Sequence, residues 1–267
     1  MSDQREPGSL ERARAVARQL AALEEGAMRT GAAARALAAA APADAALLLA
    51  AAVALAVEGD PTLATAFGHA LLAPGALAYD HLAAIYAAAV EGGLEEARAL
   101  LVAAPPRRAW HDRKPAPDRA LAGVTLGHQK ALARGARDPD LLARLAAGGE
   151  PDVVRELVRN PRLTEAQAVR IAARRPCRPE TLRAVAAHER WRRAPAVLRA
   201  VAQNPYAEPA LATKLLPRLT AADLASIADD GTLHPLVRAA AARLVQMKKR
   251  RGREALRGGS AQGEEER

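Results

Sequence analysis

The sequence predicts an all-α protein built from short helices, and three observations predict it. Alanine supplies 71 of the 267 residues and leucine 35, while valine and isoleucine together supply 18 and aromatics only six. So few β-branched and aromatic residues cannot build a large sheet, and alanine has the strongest helix propensity of any residue. Apolar residues recur at helical spacing along most of the chain. Proline or a capping residue also marks a new start every 12 to 16 residues in the second half, which leaves room for a helix and a turn.

In chain order, residues 8–104 read as an alanine-rich helical region. Leu10, Val16, Leu20 and Leu23 mark one apolar face. Ala45 to Val57 is an uncharged run of 13 residues, too short for a membrane span of roughly 20 and read as a buried core helix. Asp60-Pro61 signals a start, Pro74-Gly75 a stop, and Gly92-Gly93 another stop. Residues 105–125 hold Pro105, Pro106, Pro115 and Pro117 among charges and read as a linker or crossing loop. Residues 126–247 carry starts at Pro139, Pro151, Glu165, Pro179, Pro195, Pro209, Ala221 and Pro235. Thr164 with Gln167 has the form of a capping box, and Thr220 with Asp223 comes close to one. Residues 248–267 have no apolar periodicity and read as a charged tail, disordered after one basic helical turn.

Charge divides the chain too. Residues 1–104 have net charge −5, residues 105–247 net +11 and the tail net +3, within a total of +9. The polar start from Met1 to Arg14 lacks the apolar core of a secretory signal, so the expected location is cytoplasmic. A single cysteine, Cys177, excludes an internal disulfide and any cysteine-rich metal module.

Within the second half, Val153-Val154-Arg155-Glu156-Leu157-Val158-Arg159-Asn160-Pro161 aligns with Val197-Leu198-Arg199-Ala200-Val201-Ala202-Gln203-Asn204-Pro205, 44 residues later. That period lies in the helical-repeat range, where short helices stack because none is stable alone. The stretch resembles HEAT-like and armadillo-like α-solenoid repeats over residues 126–247, and its asparagine–proline phrase is similar to the leucine-rich-repeat variant proteins. The resemblance implies a curved superhelix that binds protein or nucleic acid and performs no chemistry. The iron–sulfur centre that leucine-rich-repeat variant proteins can carry has no counterpart in a chain with one cysteine.

Little in the sequence points to catalysis. No two of the six histidines stand three or four residues apart, so none forms a metal-binding pair on a helix face. No serine sits in a nucleophile elbow. Asn160 and Asn204 precede prolines at helix ends and read as turn residues. The arginines carry the sharper expectation. Arg155, Arg159, Arg174, Arg175, Arg190, Arg192, Arg193 and Arg199 fall on related helices or their ends, and stacking would align them with Trp191 into a stripe. Arginine binds phosphate bidentately and tryptophan can stack on a base or a partner's side chain. Some HEAT-like DNA glycosylases use a basic concave face in this manner, and the likeness to them is one of architecture and charge. Against it, a GC-rich coding sequence also enriches arginine, and acids between Glu150 and Glu189 offset the stripe. The expected function is therefore a non-catalytic scaffold or adaptor for a protein partner, without cofactor or metal, and nucleic-acid binding through the stripe is the alternative.

Overall fold

The computed structural model describes residues 7–23, 26–111, 118 and 121–265. Residues 1–6 of the polar start, and Pro115 and Pro117 of the crossing stretch, lie outside the described residues. The fold is all-α, and no strand occurs among the described residues. The first half forms helices α1 (Pro7–Ala21), α2 (Gly26–Ala39), α3 (Pro42–Glu58), α4 (Thr62–Leu72), α5 (Tyr79–Glu91) and α6 (Glu95–Leu101). The second forms α7 (Leu126–Gly135), α8 (Pro139–Gly148), α9 (Pro151–Leu157), α10 (Glu165–Ala173), α11 (Pro179–Ala187), α12 (Pro195–Ala202), α13 (Pro209–Leu215), α14 (Ala221–Asp229) and α15 (Pro235–Glu265).

All eight starts read from proline and capping residues coincide with the first residue of a helix, α8 through α15. The cause is local. Proline's missing N–H is no loss at the first helical position, where no intrahelical partner exists. Thr164 accepts from Gln167 N and Gln167 Oε1 accepts from Thr164 N, at 3.2 and 2.9 Å. Thr220 and Asp223 close a second box of the same kind.

Contacts group the chain into two units: one holds residues 1–102, 213–231 and 235–267, the other 103–212 and 232–234. The boundary near residue 103 falls close to the proline-rich crossing. The second boundary does not follow the sequence reading, because residues from 213 onward pack with the N-terminal helices rather than with 126–212.

The first unit is organised around α3. Ala45, Ala46 and every residue from Leu48 to Ala56 are buried, and α1, α4, α5, α6 and α15 all pack against this helix. Alanine lets those neighbours approach closely. The helix stops at Gly59, whose φ of +105° is open to glycine and strained for other residues. Its N–H and that of Asp60 return to Ala56 and Leu55 carbonyls at 3.2 and 2.9 Å.

The tail also departs from expectation, since α15 continues to Glu265 instead of ending after one basic turn. Its buried stripe of Val237, Ala241, Leu244 and Val245 anchors the start, and most residues from there through Arg251 are good helix formers. Arg251 reaches Glu58 at 3.6 Å, where Arg14 also binds at 3.1 Å. Arg243 pairs with Glu95 at 3.3 Å. The acidity of the first 104 residues is thus partly matched inside the same unit by the basic helix.

In the second unit, α7, α9 and α11 pack side by side in one row. Helices α10 and α12 pack side by side in a second row, while α8 touches α10 only sparsely. The core between α7, α8 and α9 is Ala133, Leu142, Leu145, Val153 and Leu157. The crossing stretch is ordered where it is described. Arg108 N donates to Pro205 O at 3.0 Å, and the Arg178 guanidinium lies over the Trp110 ring at 5.4 Å.

Candidate interaction surface

The 44-residue match has a physical counterpart. Asn160, at the end of α9, donates Nδ2 to Ala133 O at 2.8 Å and to Ala136 O at 2.9 Å. Asn204, at the end of α12, donates Nδ2 to Ala172 O at 2.8 Å and to Arg174 O at 2.9 Å. Each Oδ1 accepts the backbone N–H two residues on, from Arg162 at 2.8 Å and Tyr206 at 3.0 Å. Both side chains are 2 % exposed. Each asparagine therefore closes its own turn and clasps the carbonyl end of the neighbouring helix in its row. Buried carbonyls at a helix end need such a donor, because they have none within the helix.

Several of the arginines expected in a phosphate-binding stripe do similar work. Arg174 Nη1 donates to Ala146 O at 3.1 Å, across 28 residues. Arg175 Nη2 donates to Gln203 O at 2.5 Å, again across 28 residues. Arg190 Nη1 reaches Pro161 O at 3.3 Å while its guanidinium covers the Trp191 ring at 4.2 Å. The others with described partners sit in ion pairs. Arg155 binds Asp152 at 2.6 Å, Arg159 binds Glu156 at 3.4 Å, and Arg192 and Arg193 share Glu189 at 3.3 Å each. Arg199 is exposed on α12 and is itself engaged.

Trp191 does not stand on the surface as a stacking platform. It is 2 % exposed, and its Nε1 donates to Val158 O at 2.8 Å. The apolar bulk of the indole and its single N–H make it a core residue that also caps a helix end. His188 packs beside it at 6.3 Å with Nδ1 buried and without a hydrogen-bond partner among the described residues. Burial first, then the positive charges of Arg159 and Arg190, pushes the His188 pKa below the ordinary histidine value.

Two further groups show how burial sets chemistry in this unit. Glu156 is buried, yet the hydrogen bond from Arg134 at 3.1 Å holds its carboxyl below the usual range despite desolvation. Cys177 goes the other way. Burial pushes the thiol up to about 11, outweighing the nearby Arg174 charge, so it stays protonated and weakly nucleophilic at neutral pH. Among the described residues, no three His, Cys, Asp or Glu side chains group as metal ligands. Nor is any helix among them long and apolar enough to cross a membrane.

The sequence reading missed one feature, an open groove of about 510 Å³ where α8 and α10 part. Ala143, Ala146 and Ala147 of α8 wall it on one side, and Gln167, Arg170, Ile171, Ala173 and Arg174 on the other. The alanines are too small to fill the space between the helices. The signal in the sequence is the spacing of Gln167 and Arg170, which puts both on one face of α10, with Arg174 at its C-terminal cap. No protein-family model, characterised protein or solved structure matches the chain.

Proposed function

We propose that this protein is a non-catalytic helical-repeat scaffold that binds a protein partner, and that its second unit is a HEAT-like α-solenoid segment. The observation that carries the reading is the pair of matched asparagine clasps. They end two successive three-helix groups, α7–α9 and α10–α12, in the same way. A frame that repeats its own joints presents a series of helix faces at fixed spacing, which suits recognition of another macromolecule. The clustered polar groups are engaged by backbone carbonyls and ion pairs, in keeping with a structural role for them.

The alternative, nucleic-acid binding through the arginine stripe, is weaker on the same observations. Arg175 and Arg190 donate to carbonyls, four of the remaining arginines share carboxylates, and Trp191 offers no open ring face for stacking. The scaffold reading belongs with a cytoplasmic location and no cofactor.

Affinity capture of the full chain, followed by reconstitution of the captured pair from purified components, tests this reading. A stoichiometric complex with one protein, stable through gel filtration, is expected. Turnover of a small substrate by the purified chain, with no protein retained, would overturn it.

A further inference from the structure

We propose that the groove between α8 and α10 is the docking site and that its occupant is an acidic peptide segment carrying small aliphatic side chains. This deepens the scaffold reading and rests on it. The geometry comes first. In the row of α8, α10 and α12, the last two pack closely, whereas α8 stands off from α10 and leaves about 510 Å³ open between them. The gap is walled by Ala143, Ala147 and Ala173, all exposed, and by half-buried Ala146, with Ile171 buried beneath them. Exposed alanine walls of that kind gain by covering with aliphatic groups, since burial of apolar surface drives association. It has no aromatic ring on which a nucleobase could stack.

Charge selects the rest of the ligand. The groove is lined by two arginines and by no acidic side chain. Arg174 is held in place, one Nη on the Ala146 carbonyl and the guanidinium seated over Gly149, where an added Cβ would meet Nη1 at 2.9 Å. Such a fixed guanidinium is pre-organised for a carboxylate, because little freedom remains to be lost on binding. Arg170 stands one turn earlier, exposed, and has neither a hydrogen bond nor an ion pair among the described residues. Gln167, which lines the groove, uses its Oε1 in the capping box with Thr164, so its side chain has amide N–H groups left to donate. The groove thus offers donors and positive charge, and its alanine walls offer apolar contact. An acidic, aliphatic peptide complements both, whereas a nucleic acid would use only the charge.

A phage-displayed library of random linear peptides panned on the full-length protein tests the proposal, with selected peptides remade as fluorescent probes. Selected sequences are expected to combine Asp or Glu with Leu, Val or Ala. Arg170→Glu should weaken their binding by about tenfold or more, through loss of attraction and added repulsion. Ala147→Trp, which fills the groove from an exposed position, should weaken it comparably, and a melting temperature unchanged in both variants would show that the fold is intact. Peptides that bind both variants as well as the parent would overturn the groove while leaving the scaffold reading standing. So would a protein partner, captured as above, that both variants retain in full. Failure to select any peptide would overturn the groove, as would selected peptides that are basic. Salt-dependent binding of a single-stranded oligonucleotide, lost in Arg170→Glu, would assign the groove to nucleic acid instead.

Discussion

The two units hold their helices together by different means. Around α3, close packing of small apolar side chains carries the structure, and the residues from Leu48 to Ala56 form an unbroken buried run. In the second unit the helices are shorter than α3, seven to ten residues for α7 through α12, and none carries a buried run as long as that of α3. There, Asn160, Asn204, Trp191, Arg174 and Arg190 reach from one helix or turn to the carbonyl end of another. The difference teaches that short helices can be held by tying their ends as well as by burying their faces. In a helix of two or three turns the unpaired carbonyls of the last turn are a large share of its backbone, so a donor that meets them matters more than in a long helix.

The largest test of that contrast is Asn204→Asp. A carboxylate cannot donate, and it would face the Ala172 and Arg174 carbonyl oxygens at hydrogen-bond distance. A loss of about 3 to 5 kcal/mol is expected from unsatisfied buried groups and a buried charge. Denaturant unfolding measures it, and the labelling rate of buried Cys177 by a thiol reagent reports on the second unit directly. Asn160→Asp should cost a similar amount, because its bonds match those of Asn204 in length to within 0.2 Å. A loss under about 1 kcal/mol at both positions would mean that burial, not clasping, holds this unit as well.

For the first unit the matching test is Leu49→Ala. Leu49 is wholly buried on α3, and its truncation leaves a cavity that should cost about 3 kcal/mol in the same unfolding assay. Smaller is Gly149→Ala, at about 1 kcal/mol. Gly149 adopts a φ of +71° at the end of α8, and a methyl group would also press on the Arg174 guanidinium. Thermal melts would measure the shift, and no change would mean that the turn relaxes freely.

The smallest effect is one of pH. The Glu156 carboxyl titrates below its ordinary value of 4.5 in the folded protein, chiefly because of Arg134. Its stabilising contribution is therefore fully present above that ordinary value. It is lost as pH falls from there through the lowered folded value. Glu156→Gln should flatten the acid limb of the stability profile below pH 4.5 and leave its shape at neutral pH unchanged. An identical acid limb in the variant would exclude Glu156 as a source of that limb.

Features set by neighbours along the chain are legible in the sequence itself. The eight helix starts follow from proline and capping residues, and the Asp60-Pro61 signal holds, since Thr62 N binds Asp60 Oδ1 at 3.0 Å. Reading Asn160 and Asn204 as turn residues captures only half of what they do. The Oδ1 contact is local, whereas the carbonyls that Nδ2 clasps lie 24 to 32 residues away in sequence. Trp191 shows the same limit. Its arginine neighbours suggest surface, but only the packing of α9 against α11 brings the Val158 carbonyl to its N–H. The groove is hidden for a related reason, because a gap between α8 and α10 depends on which helices fail to meet.

The asparagine clasps also have a consequence for mechanical register. Apolar contact is not directional, so burial alone fixes the register of two short helices packed side by side only loosely. A side chain that must meet two carbonyls at once permits no such slip, for a shift of one turn of about 5.4 Å breaks both bonds together. Gln is too long for the same span and Asp lacks the donors. A single residue type, placed before a proline, thus acts as a pin that keeps neighbouring helices from creeping out of step.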